Sequence, residues 1–107
     1  MLPKRYKLPV QYFSSLRGKK YSSSHFILVI FPSEYTYPRF GVVTQRKYIT
    51  TAVSRNVFKR IFFDFAQNEL KMIPSGDYLI RVKASFDVKY TEMVRSELNN
   101  LFSYIKK

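Results

Sequence analysis

The sequence predicts an α+β fold, a layered sandwich of about αβββαβα order in which helices cover a small mixed sheet. Three patterns carry that prediction: a continuous apolar run from Phe26 to Phe31, a helical stripe through Val57, Phe58, Ile61, Phe62 and Phe65, and a second stripe through Tyr90, Val94, Leu98, Leu101 and Ile105. The 107 residues are 46% hydrophobic, with ten Phe and nine Tyr. That is enough for one core and too little for two, so residues 1–107 are expected to form one domain.

Residues 1–8 read as a basic extended arm, with Lys4, Arg5 and Lys7 around Tyr6. Pro9 suits the first turn of a short helix, where its missing N–H costs nothing, and Gly18 suits its end. That helix would carry Val10, Tyr12, Phe13 and Leu16, and Gly18-Lys19-Lys20 would form a basic turn. The run from Phe26 to Phe31 is too uniformly apolar for a strand with one wet face, so burial on both faces is expected. His25 is assigned to the same strand. A loop from Pro32 to Pro38 reverses direction, and Arg39 to Thr44 returns antiparallel to the first strand, with room for a short further strand before residue 50. The long helix begins near Val53, with Thr50 and Thr51 where an N-cap would stand. Ile73 to Asp77 is dense in breakers and forms a loop. In the strand that follows, alternation places Arg81 and Lys83 on one face and Ile80 and Val82 on the other. The last helix starts near Asp87. A short N-terminal helix cannot cover a whole sheet face, which leaves part of that face as a groove.

Nineteen Lys and Arg oppose seven Asp and Glu, a net charge of +12. An excess of that size repels itself in a small folded body, so an anionic partner is expected. Nucleic acid fits first and an acidic membrane surface second. The cations concentrate between Arg46 and Arg60. Arg46 and Lys47 precede the long helix, and Arg55, Asn56, Lys59 and Arg60 lie opposite its apolar arc. The helix N-terminus adds a partial positive charge of its own. Asp64, four residues beyond Arg60, is the nearest acid at pairing distance.

Catalysis by the chain itself is not expected. The seven acids are scattered without D-x-D or E-x-x-E spacing, the three glycines stand apart, there is no cysteine, and His25 is the only histidine. No metal site follows. Aromatics do stand beside cations: Tyr6 in the arm, Tyr12 and Phe13 ahead of Arg17, Tyr21 after Lys19 and Lys20, and Tyr48 after Lys47. Such pairs suit unpaired or structured RNA, where rings stack on bases and cations hold the backbone. No stretch reaches the ~20 apolar residues of a spanning helix, and no apolar run follows the first basic residues as in a signal peptide. A cytoplasmic protein is expected.

The stretch from Ala52 to Arg60 resembles the A-V-x-R-N-R-x-K-R signature of the protein subunit of bacterial ribonuclease P, preceded by a strand with Gly41 and by the pair Arg46-Lys47. Similarity extends along most of the chain: Leu8 and Phe13 in the opening segment, Gly76 to Ile80 in the strand after the long helix, and Tyr90 to Phe102 in the last helix. Two departures stand out. Val57 replaces the second arginine of R-N-R, and the first helix is short, with Leu16 near the place of a common second aromatic. The resemblance implies the ribosomal protein S5 domain 2-like sandwich with a left-handed βαβ crossover through the long helix. It also implies that the RNA subunit performs the cleavage that removes the 5′ leader of precursor tRNA, with magnesium held mainly by that RNA. Arg46, Lys47, Arg55, Asn56, Lys59 and Arg60 would then contact the ribonuclease P RNA. Tyr12, Phe13, Arg81 and Lys83 would line the groove for the leader. No stable protein partner and no membrane are implied.

Three other readings compete. A structural RNA-binding protein, such as a small ribosomal protein, shares the charge and the aromatics but not the R-N-x-x-K-R helix in its setting. A DNA-recognition helix at 53–69 conflicts with the burial that Phe58, Ile61, Phe62 and Phe65 demand. A membrane-surface role needs cations confined to one face of one helix.

Overall fold

The computed structural model describes residues 3–8 and 18–105. The helix expected between Pro9 and Gly18 lies almost wholly outside the described residues. Four strands, β1 (Lys19–Ser22), β2 (Phe26–Phe31), β3 (Pro38–Val43) and β4 (Gly76–Val82), form one mixed sheet in the order β1-β2-β4-β3. Helices α1 (Ala52–Asn68) and α2 (Thr91–Phe102) pack on one face of it. The α+β sandwich is as expected.

Three strands do precede α1, but the third differs from expectation. Lys19 and Lys20 belong to β1, antiparallel to β2 with Lys20 opposite Val29, rather than to a turn. Residues 45–50 form a turn instead of a further strand. The expectation failed because a tertiary partner decides β1: two lysines are poor strand formers, yet they lie at an exposed sheet edge where their side chains stay wet. Gly18 permits the close approach, since a Cβ there would lie 2.1 Å from the Ile30 carbonyl oxygen.

β3 runs opposite to β2, as expected, but does not pair with it. β4 lies between them, antiparallel to β2 and parallel to β3. A parallel neighbour needs a crossover, and α1 supplies it. Gly76, where β4 starts, has φ +151°, a conformation that L side chains rarely adopt.

Alternation along β2 and β4 sorts the two faces. Phe26, Leu28, Tyr78, Ile80 and Val82 point toward the helices and are buried there with Phe58, Ile61, Phe62, Phe65, Val94, Leu98 and Leu101. Many of the phenylalanines pack against one another in tilted and edge contacts, such as Phe26 on Phe86 (5.3 Å) and Phe65 on Phe102 (5.4 Å). Val29, Phe31 and Leu79 form a second buried cluster, so β2 is covered on both faces, as its composition predicts.

Three further expectations are corrected. Tyr90 is 66% exposed because it caps α2 from outside; its place in the core is taken by Phe102, which is fully buried. His25 precedes β2 in a bend, held by its own backbone N–H to Glu97 Oε2 (2.7 Å) and by Nδ1 to Glu97 Oε1 (2.8 Å). The arm is not loose where it is described: Lys4–Tyr6 makes a 3-10 turn, Leu8 donates its N–H to the Phe40 carbonyl at 2.8 Å, and its side chain is buried.

Candidate nucleic-acid interface

The N-terminus of α1 is built as its sequence suggests. Thr51 is the N-cap, and its Oγ1 accepts from the Ser54 N–H at 3.1 Å. One first-turn donor is thereby satisfied within the chain. The turn before it is closed by Tyr48 and Ile49 N–H groups on the Gln45 carbonyl, both 3.0 Å. Ile49 is buried and anchors the turn, leaving Arg46 and Lys47 exposed. Arg55 turns back, donating from Nη1 to the carbonyls of Ile49 (3.1 Å) and Thr50 (3.2 Å). Part of its guanidinium therefore fixes the turn to the helix, and the rest stays available to an anion.

One turn on, Asn56, Lys59 and Arg60 are exposed, while Phe58, Ile61 and Phe62 on the other arc are buried. Among the described residues no ion pair engages Arg46, Lys47, Lys59 or Arg60; the pairs formed there are His25 with Glu97 and Arg39 with Asp77. Asp64 lines the same hollow as Arg60 without bridging to it. Val57 is half-buried and packs against the core, so the position where the signature has its second arginine contributes packing here.

The described residues also bring Lys7 to this face, which the sequence did not indicate. Its Nζ lies 5.2 Å from the Phe63 ring centroid, and Lys7, Asn56, Lys59, Arg60 and Phe63 line a hollow of about 250 Å³. The signal was hidden because Lys7 reaches α1 only through an isolated parallel bridge to Phe40.

Arg81 and Lys83 lie on the far side of the sheet. Arg81 sits between Ile27 and Val43 in register, half-exposed, and Lys83 is exposed with Nζ 3.2 Å from Ser22 Oγ. Lys20, opposite Val29, joins them on that face. The two predicted basic sets are thus separated by the thickness of the sheet. Tyr12 and Phe13 lie outside the described residues. Among the described residues no group of three or more His, Asp or Glu could hold a metal ion, and no helix is long and apolar enough to cross a membrane.

The Ribonuclease P family profile matches residues 10–106. The chain belongs to the ribonuclease P protein family. It is 27% identical over 107 residues to the ribonuclease P protein component of Aliivibrio fischeri, covering 100% of this chain and 87% of that one. To the Vibrio campbellii component it is 31% identical over 80 residues, covering 75% and 64%. The fold matches the Staphylococcus aureus RNase P protein with a TM-score of 0.83 at 17% identity, covering 92% and 94%. The Thermotoga maritima RNase P protein gives 0.76 at 25% identity, covering 94% and 98%. As a ribonuclease P protein component the chain is part of that holoenzyme and a partner of its RNA; the ribosomal-protein reading is not favoured.

Proposed function

We propose that this ribonuclease P protein docks on the catalytic RNA through Arg46, Lys47, Arg55, Asn56, Lys59 and Arg60, and holds the 5′ leader of precursor tRNA along the opposite sheet face at Arg81 and Lys83. Tyr12 and Phe13 would complete that groove. The observation that carries the reading is the two-sided α1: its aromatic arc is spent on the core, while Lys59 and Arg60 stand exposed and without an ion pair among the described residues. Separation of the two basic sets by the sheet lets one molecule bind catalyst and substrate at once. Among the described residues no cluster of His, Asp or Glu suits a metal, which supports assigning magnesium to the RNA and no chemical step to this chain. A cytoplasmic location follows from that partnership.

Reconstitution with a bacterial ribonuclease P RNA tests the reading. The protein alone should leave precursor tRNA intact, and should lower the magnesium concentration at which the RNA cleaves it. Lys83→Ala should weaken binding of substrates with a leader several-fold and leave leaderless ones unchanged. No effect of the protein on rate or affinity would overturn the assignment.

A further inference from the structure

Beyond the docking face, α1 continues to a second and larger concavity at its C-terminal end, of about 790 Å³. Tyr6, Thr36, Tyr37, Gln67, Asn68 and Lys71 are among the residues that line it. The rings are held in place: Tyr6 meets Tyr37 edge-on at 5.5 Å, and Tyr35 packs on Tyr37 at 5.3 Å. The Arg5 guanidinium stands 5.3 Å from the Tyr6 ring centroid. Gln67, Asn68, Lys71, Thr36 and Arg5 are all exposed.

We propose that this concavity holds an unpaired nucleotide of a single-stranded RNA segment, stacked on the Tyr37 ring with Tyr6 edge-on beside it, its base edge hydrogen-bonded by Gln67 and Asn68 and its phosphates held by Arg5 and Lys71. Among the described residues no carboxylate lines the space, which fits a polyanion and disfavours a cationic ligand. The C-terminal end of α1 carries a partial negative charge, which favours the donor edge of a base there and leaves the phosphates to the cations Arg5 and Lys71. Tyrosine faces accept any base, and side-chain amides supply paired donors and acceptors. The site adjoins the docking face, because consecutive residues Lys7 and Tyr6 line the two concavities. RNA leaving the Lys59 and Arg60 region along α1 meets it next. The proposal extends the docking assignment but does not require it, since the ligand could come from the RNA subunit or from the substrate.

Binding of five-nucleotide single-stranded RNA to the whole protein, followed by NMR, separates these possibilities. Gln67→Ala with Asn68→Ala, both exposed and safe for folding, should weaken binding several-fold, and Tyr37→Leu about tenfold; Arg60→Ala should leave Tyr37 and Gln67 shifts intact. A photoreactive uridine placed in unpaired segments of the RNA subunit or in the leader then reports which RNA crosslinks to Tyr6 or Tyr37 in the holoenzyme. A crosslink from either RNA supports the site and identifies the source. Unchanged oligonucleotide affinity in the Gln67/Asn68 double variant, or no crosslink from either RNA, overturns it, whatever the fate of the docking assignment.

Discussion

Asp77 is 5% exposed and lies at the start of β4, where Arg39 of β3 grips it with two bonds, Nε to Oδ1 at 2.8 Å and Nη2 to Oδ2 at 2.7 Å. The bidentate pair clamps the two parallel strands at their N-terminal ends, where the crossover through α1 returns to the sheet. The Asp77 hydrogen bond holds the Arg39 guanidinium above its ordinary pKa, outweighing the burial that would lower it. Asp77→Ala leaves an arginine partly buried and unpaired, and is expected to cost about 3 kcal/mol in urea unfolding; Arg39→Met in the same chain should restore part of it. Glu97 plays the matching role on α2. Burial pushes its carboxyl up, but the hydrogen bonds from the Ser23 hydroxyl and from the His25 ring and backbone outweigh this and hold it below the ordinary value. A depressed carboxylate stabilises above its unfolded pKa of about 4.3, and that contribution is lost as pH falls through the lower folded value. Glu97→Gln should therefore be less stable than the parent by about 1 kcal/mol at pH 7, with the gap closing toward pH 3 in paired urea titrations.

Helix α1 connects stability to function. Its buried arc needs Phe62, fully buried against Phe40 and Phe102; Phe62→Ala should cost about 3–5 kcal/mol. Thr51→Ala removes only the cap and should cost about 1 kcal/mol, read as a lower thermal midpoint. Both lie off the exposed Lys59 and Arg60 surface, so RNA affinity measured well below the unfolding transition should change little for Thr51→Ala. The two faces of this helix were readable from periodicity because an α-helix repeats locally, without reference to the rest of the chain. Strand β1 was not: Lys19 and Lys20 carry no strand pattern, and only the neighbouring β2 backbone recruits them. Tyr90 illustrates the converse, a residue in phase with the apolar stripe that falls one position outside α2 and stays in solvent.

Across the whole molecule, the charge of +12 leaves cations in excess, and between described residues the ion pairs are His25 with Glu97 and Arg39 with Asp77. Association with the RNA should accordingly weaken steeply with salt through counterion release. Arg60→Ala should lower the slope of log affinity against log salt by about 1, measurable by filter binding from low to moderate salt; an unchanged slope would remove Arg60 from the phosphate contacts. The exposed basic face of α1 was legible in the sequence because Arg55, Asn56, Lys59 and Arg60 share one helical face within a short run. Lys7 and the Tyr6, Tyr37 and Gln67 concavity were not, because their members lie in three distant segments.

Composition and local periodicity were sufficient for the α+β class, the buried aromatic arc of α1 and the basic face opposite it, and the motif from Ala52 to Arg60 for the resemblance to the family. Charge balance and helical phase are properties of neighbouring residues, so they survive without a structure. Strand order, the insertion of β4 between β2 and β3, the Arg39–Asp77 clamp and the approach of Lys7 to Phe63 were decided only in three dimensions. Each depends on backbone and side-chain partners far apart in the chain, whose choice is made by the closing of the sheet and the packing of α1 across it.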